Sequence, residues 1–507
     1  MEKNFMRMME NEISDQKTLT ENGAVAYKTS GKALTDFMFA VTALRQADKD
    51  RIYDEITKVY FEDPIIATKF MFFIRDCREG NGERRIFREY LRWLSENKPE
   101  IAKAVIKLVP EYGRWDDLWV LLDTSLREDV CELVQHQIDE DIENSTRGKS
   151  ASLVSKWLPS QNASSKETKR YAAIIRDYLK LTPRRYRKIL SRLRDYLDVV
   201  EVKASSNRWN EIKYETVPSQ ANLKYEKAFM IHDEKRRKEY LDSLKSGKTK
   251  INGGVLAPHE IVSRYANTTG WGYHQIQEYN EALEQLWKAL PVKSLDQTLV
   301  IRDGSGSMCA GYGTPVKPLD VATALAIYTS EHNHGVWKDK YITFSGNPKF
   351  VDISKCESLR DKLLLSYKET DCTNTNIEKT MMLVLNTAIK NHCSQDDMPK
   401  NIIIITDMGF DGCFWGDNTR SLFDNIATEF AEAGYKLPRM VFWNVAGSTH
   451  NGIPLQQNEL GVVLMSGFSV NLLDMVMSGQ LDPYKAILDM INSPRYQPVE
   501  EAVQNIN

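Results

Sequence analysis

Asp303, Ser305 and Ser307 stand at alternate positions in "LVIRDGSGSM", residues 299–308, where an apolar run stops at an acid followed by small hydroxyl residues. Two later junctions offer compatible groups: "TDCTNTNIEKT" supplies Thr373 and Thr375, and "IIIITDMGFDG" supplies Asp407 and, as a weaker candidate, Asp411. Two carboxylates with hydroxyls make an all-oxygen donor set, suited to a hard divalent cation, Mg²⁺ or Mn²⁺, rather than to zinc. Hydroxyl ligands leave such an ion under-neutralised, so its remaining coordination position attracts an outside carboxylate or phosphate. A phosphate loop of Walker type needs a lysine after its glycines, and none follows Gly304 and Gly306 at that spacing. A plain Ser/Gly turn would explain the first segment alone but not an acid closing a second apolar run.

The elements that must position these groups lie in the second part of the chain. "TLVIRD", "VWKDKYITFS", "NIIIITDMG", "RMVFWNVAG" and "GVVLMSG" are short β-rich apolar runs. Between them lie the helical stretches "PLDVATALAIYTSEHN", "NIEKTMMLVLNTAIKN", "SLFDNIATEFAEAGY" and "SVNLLDMVMSG". Strands apolar on both faces, alternating with helices, predict a doubly wound, Rossmann-like parallel sheet covered on each side. Ligands of such sheets bind at the carboxyl ends of the strands, where all the candidate ligands fall.

The first part has a different period. From about Leu34 to Leu290 successive segments such as "DPIIATKFMFFIRDC", "RRIFREYLRWLSEN" and "RRYRKILSRLRDYLDVV" repeat apolar residues every three or four positions, as helices burying one face do. Helix pairs joined by short turns predict an α-helical solenoid of HEAT type, although no fixed repeat length is visible. The expected organisation is an N-terminal tail over 1–17, a helical repeat domain over 18–295, and an α/β domain with a C-terminal helical extension over 296–507.

Bulk properties agree with an intracellular, folded protein. The chain has 507 residues, 42% hydrophobic and 27% charged, and its seven cysteines form no C-x-x-C pair. No run of about eighteen apolar residues and no signal-peptide core are present, so the expected location is cytoplasmic, with no membrane partner. The net charge of −3 divides into roughly +4 before residue 297 and roughly −7 after it, so the two parts are expected to meet different partners.

The order "DGSGSM", "TNT", "TDMG" resembles the metal-ion-dependent adhesion site of a von Willebrand factor A domain, whose pattern is D-x-S-x-S, then Thr, then Asp. Asp303, Ser305, Ser307 and Asp407 match by position. The integrin-like T-N-T form points to Thr373, whereas spacing to the following helix in closer relatives points to Thr375, the preferred ligand. The segments "TENGAVAYKTSGKALTDFMFAV", "REGNGERRIFREYLRWL", "LVPEYGRWDDLWVLL", "LVSKWLPSQN", "YETVPSQANLKY", "PHEIV" and "SGFSVNLLDMVMSG" extend the resemblance over roughly residues 18–497. Together they resemble an uncharacterised family of plants, giant viruses, bacteria and phages that joins a TROVE-like helical domain to a von Willebrand A domain. That architecture is similar to the Ro ribonucleoprotein, a TROVE protein that binds small non-coding RNA.

The resemblance implies a basic surface on the helical domain, and residues 166–250 carry an excess of bases. In "TPRRYRKILSRLRDY", Arg184, Arg185, Arg187, Lys188, Arg192 and Arg194 are interleaved with Tyr186 and Tyr196. Guanidinium groups on phosphates with rings that stack unpaired bases are the composition of a single-stranded RNA surface. The competing reading is an ordinary solvated helix face with Ile189, Leu190, Leu193 and Leu197 turned inward. A second run, Lys235–Lys238, has acids beside it. In "KWLPSQNASSKETKR", Lys156, Ser160, Gln161 and Asn162 are further candidates, while Trp157 and Leu158 read as core.

No enzyme motif emerges. The eight histidines do not assemble a site, and His332 and His334 read as helix-capping residues near solvent. The leading expectation is a non-enzymatic, Ro-like RNA-binding protein whose A domain holds Mg²⁺ or Mn²⁺ and, through it, an acidic residue of a protein partner. The alternative is a metal-dependent interaction scaffold that does not bind RNA.

Overall fold

The computed structural model of the chain describes residues 17–19, 25–269, 273–309, 316–344, 348–370, 376–410, 422–446 and 461–506. Contacts group the chain into two compact units, one comprising Met1–Glu62 with Leu256–Met490, the other Asp63–Val255 with Ile491–Asn507. This grouping differs from a single cut between residues 295 and 296. The amphipathic pattern of a helix says that one face is buried but not which partner buries it.

The first unit is built on a six-stranded sheet: β1 (Thr298–Asp303), β2 (Lys340–Phe344), β3 (Lys349–Asp352), β4 (Asn401–Thr406), β5 (Arg439–Asn444) and β6 (Val462–Ser466). Their order across the sheet is β6-β5-β4-β1-β2-β3. The five apolar runs form the five parallel strands. The expectation of an all-parallel sheet is corrected at one edge, where β3 runs antiparallel to β2. Only residues 345–348 separate these two strands, far too few for a crossover, so the chain must turn back on itself.

Alternation across the central strands serves two apolar layers. Leu299, Ile301, Ile402, Ile404, Met440, Phe442, Val462 and Leu464 share one core with Ile377, Met381, Leu385, Ile426 and Phe430 of the helices Ile377–Lys390 and Leu422–Glu432. On the sheet's other side the helix Pro318–Glu331 packs against β1 and against the helix Pro258–Tyr265. Residues Pro318 to Ser330 are all buried, as expected of a helix covered on every side.

The helix Ala33–Leu44 packs along β6 in this same unit, with Thr42 and Ser466 separated by 424 residues in sequence. Its Thr42 accepts from Ser466 Oγ at 2.6 Å and donates from its backbone N–H to the same Oγ at 3.0 Å. Asn444 Nδ2, at the end of β5, donates to the Phe39 carbonyl at 3.3 Å. All four residues are buried, so these bonds satisfy polar groups that water cannot reach.

The second unit is helical throughout its described residues, with Pro64–Arg75, Arg85–Asn97, Arg127–Thr146, Lys166–Tyr178, Pro183–Tyr196, Ser219–His232 and Glu234–Lys245 as its longer helices. The helix Gln497–Gln504 returns to pack against Pro64–Arg75. Just before it, Arg495 donates from Nε and Nη2 to the fully buried Asp76 at 2.6 and 3.2 Å, and Tyr496 adds a third bond at 3.2 Å. Arg495→Met strips a buried carboxylate of its counter-charge, and the expected loss is about 3 kcal/mol of stability. Urea unfolding of the full chain measures it, and a loss below about 1 kcal/mol would contradict this role for the pair. Among the described residues, no helix is long and apolar enough to cross a membrane.

Candidate functional site

β1 is paired with β2 on one side and with β4 on the other. The chain leaves β1 to build toward β3, then returns to the far side of β1 to build β4, β5 and β6. Connections that depart in opposite directions open a crevice at the carboxyl ends of β1 and β4, the position where doubly wound sheets bind ligands. Asp303 is the last residue of β1, and Asp407 directly follows Thr406, the last residue of β4.

Both carboxylates are buried, as is Ser305, and Ser307 is half-buried. Asp303 Oδ1 accepts from the Ser305 N–H at 2.8 Å and Oδ2 accepts from Thr406 Oγ1 at 2.6 Å. The hydroxyls of Ser305 and Ser307 lie 3.1 Å apart. Burial, followed by the charge of Asp407, raises the Asp303 carboxyl from its ordinary value to about 7. A divalent cation held by both carboxylates would relieve that repulsion, and a donor set of carboxylates and hydroxyls is of the kind that suits Mg²⁺ or Mn²⁺. Thr373, Thr375 and Asp411 lie outside the described residues.

The turn after β4 is held in an unusual conformation. Met408 has φ of 68°, in the left-handed region that a side-chain-bearing residue rarely adopts. Its N–H bonds to Thr406 Oγ1 at 3.1 Å, and the Gly409 N–H bonds to Asp407 Oδ1 at the same distance. Backbone strain of this kind collects at ligand sites, where the surroundings hold it in place.

Arg302 is a participant that the sequence reading took only as part of a strand. It is fully buried, with Nη1 on Thr323 Oγ1 at 2.9 Å and Nη2 on Thr370 Oγ1 at 2.6 Å. Its guanidinium lies 5.7 Å from the centre of the Tyr341 ring, and its Nε has no hydrogen-bond partner. Thr370 is the last described residue before Thr373 and Thr375. The signal in the sequence was a lone arginine inside an apolar strand, next to the acid.

In the helical unit, Thr182 Oγ1 caps Pro183–Tyr196 by accepting from the Arg185 N–H at 3.3 Å, with Pro183 in the first turn. Tyr186, Leu190 and Leu193 are buried, and Arg184, Arg185, Arg187, Lys188 and Arg192 are exposed. None of these five cations has an ion-pair or hydrogen-bond partner for its side chain among the described residues. Nearby bases differ: Arg170 pairs with Asp123, Arg208 with Asp195, Arg236 with Asp233 and Lys238 with Glu234.

Other candidates are placed less openly. Arg194 is half-buried and its donors go to the carbonyls of Ser155 and Leu158 and to Ser160 Oγ, at 2.8, 2.7 and 3.1 Å. Tyr186 is buried with its hydroxyl on the Pro159 carbonyl at 3.0 Å, which removes it from any stacking surface. Lys156 and Gln161 are half-buried, Lys156 lying 5.5 Å from the Trp157 ring centre. In the run Lys235–Lys238, Arg237 is fully buried against Tyr214, Phe229 and Tyr240. His332 is the C-cap of Pro318–Glu331, its ring stacked on Tyr328 with centroids 4.2 Å apart.

The chain is similar to several known proteins. It is 29% identical, over 95% of its own length and 88% of the relative's, to uncharacterized protein L728 of Acanthamoeba polyphaga mimivirus. Among solved structures it is similar to the crystal structure of the Deinococcus radiodurans RO (RSR) protein, with 12% identity, a TM-score of 0.46, and coverage of 91% of this chain and 99% of that one. Residues 297–501 match a family described as Domain of unknown function (DUF7788). Residues 20–149 and 150–298, more than half of the chain, match the family described as Domain of unknown function (DUF2828), and the chain belongs to that family.

Proposed function

We propose that this protein is a Ro-like RNA-binding protein of the cytoplasm. Its helical unit, a TROVE-like assembly of HEAT-type helix pairs, holds small non-coding or single-stranded RNA on the face of Pro183–Tyr196. Its sheet unit, a von Willebrand A domain, holds Mg²⁺ or Mn²⁺ with Asp303, Ser305, Ser307, Asp407 and Thr375 or Thr373. The ion's open position takes an acidic residue from a protein partner, a binding role without catalysis.

The observation that carries the RNA half is the row of exposed cations without partners. Arg184 and Arg185 stand in the first turn of the helix, against the positive end of its dipole, and no acid stands there with them. Local helix stability would favour acids at these positions, so the bases answer to something outside the chain. Phosphates fit, because an extended row of guanidinium and ammonium groups tracks a nucleic-acid backbone.

Purified full-length protein, washed free of nucleic acid at high salt, is expected to retard a single-stranded RNA oligomer at low salt and to release it as salt rises. Failure to retard either single-stranded or structured small RNA at low salt sinks the RNA half. The second reading, a metal-dependent scaffold without RNA, is favoured by the buried carboxylate pair at the strand ends. Under it, chelation of the divalent ion abolishes capture of the protein partner while RNA has no effect on capture.

A further inference from the structure

The helical unit contains a second positive cluster, assembled from three separate segments. Arg75, at the end of Pro64–Arg75, and Arg88, in Arg85–Asn97, meet the fully buried Asp117 at 2.7 and 2.8 Å through their Nε atoms. Arg88 Nη2 and Arg114 Nη2 both donate to Asp116 Oδ2 at 2.9 Å. The Arg114 guanidinium also lies 4.0 Å from the centre of the Trp157 ring. Arg84, the N-cap residue of Arg85–Asn97 and one helical turn before Arg88, is the fourth member: it is exposed, and its guanidinium has no partner among the described residues. Protein atoms nevertheless crowd it closely enough that desolvation, followed by the like charge of Arg114, lowers its pKa to about 10.

Three guanidiniums thus share two carboxylates, and Arg84 adds a fourth positive charge with no acid of its own. The Nη1 groups of Arg88 and Arg114 make no hydrogen bond, and the whole fork of Arg84 remains available. The backbone is shaped for this convergence. A Cβ on Gly113 would lie 2.6 Å from Asp117 Oδ2 and 2.8 Å from Arg75 Nε, and one on Gly80, in the loop leading to Arg84, 2.0 Å from the Phe73 carbonyl oxygen. A cluster short of negative charge, with unspent guanidinium donors at its accessible edge, calls for an anion with several acceptor oxygens.

We propose that Arg84, Arg88 and Arg114 form a phosphate-binding subsite. The naming of RNA as the source of that phosphate rests on the function proposed above; the chemistry of the subsite does not. Arg84 supplies the outer clamp, while Arg88 and Arg114, held by Asp116 and Asp117, supply a fixed inner wall.

The test uses the full chain and its Arg84→Gln variant, with Arg84→Lys as a charge-retaining control, and two probes. Inorganic phosphate is expected to raise the Tm of the wild type and of Arg84→Lys, but not of Arg84→Gln. A fluorescent single-stranded RNA, followed by anisotropy, is expected to bind Arg84→Gln about five- to tenfold more weakly, with its salt dependence reduced by about one phosphate contact. Loss of the phosphate effect in Arg84→Gln, with no RNA binding by either protein, supports the subsite with free phosphate as its source and overturns the RNA reading. Equal RNA binding by wild type and Arg84→Gln, with a phosphate response kept by both, overturns the subsite and leaves the RNA reading standing.

Discussion

Asp303→Asn is expected to abolish binding of Mg²⁺ and Mn²⁺, read by calorimetry on the full chain, and to make the metal-free protein more stable at about pH 8. The amide oxygen keeps the bond from the Ser305 N–H, and its Nδ2 then faces Thr406 Oγ1, whose hydroxyl must turn from donor to acceptor, so the variant removes the charge at the cost of one reversed hydrogen bond. The two effects have one origin. Burial and the Asp407 charge hold the Asp303 carboxyl at about 7, above its ordinary value of 3.8. The metal-free fold therefore binds a proton that the unfolded chain has already released, and its stability falls as pH rises from about 4 to about 7. Above that window a buried, repelling charge pair remains, and relieving it returns at least about 1 kcal/mol. Cation binding is expected to run the other way, because it would need the carboxylate: apparent affinity should fall about tenfold per pH unit below about 7. Cation affinity that is flat between about pH 5.5 and 8, or kept by the variant, would rule out Asp303 as a ligand.

The second large effect is expected from reversing charge at Arg184, Arg185 and Arg187 together, each to Glu. Three lost phosphate contacts and three repulsions should weaken single-stranded RNA binding at least about a hundredfold near 0.1 M salt. The salt dependence should flatten by about two units, at about 0.7 for each contact on a single strand. The same substitutions put acids in the first turn of Pro183–Tyr196, where the helix dipole favours them. Thermal stability is therefore expected to hold or rise, which separates lost binding from lost folding. Binding and salt dependence that match the wild type would show that this face does not contact RNA.

How far the sequence spoke depended on the physics behind each feature. Runs such as Asn401–Thr406 and Arg439–Asn444 were legible because central strands are buried on both faces and need unbroken apolar stretches. β3 was not, because "KFVD" at a sheet edge has four residues and only Val351 buried. The position of Asp303, Ser305, Ser307 and Asp407 at the ends of two strands was legible because each follows an apolar run that stops abruptly. Arg194 and its exposed neighbours looked alike, since helical periodicity does not reveal which base finds carbonyls to bind. The Arg84 cluster was hidden for a related reason: its members are scattered from Arg75 to Asp117, 42 residues apart, and only tertiary packing brings them together.

The bond between Thr42 and Ser466 spans 424 residues, and that between Lys69 and Glu500 spans 431. Each compact unit is thus completed by a segment made late in synthesis. At a ribosomal rate of about 5–20 residues per second, the helix Ala33–Leu44 waits roughly 20–80 s for the strand it covers. Over that interval its apolar residues, among them Leu34, Phe37, Met38 and Val41, have the helix Lys49–Glu62 beside them but not the strand that completes their cover. Holding this nascent segment soluble is a task for chaperones at the ribosome, and their depletion should lower the yield of full-length protein more than that of a circular permutant beginning near residue 256 and carrying 1–62 after 490.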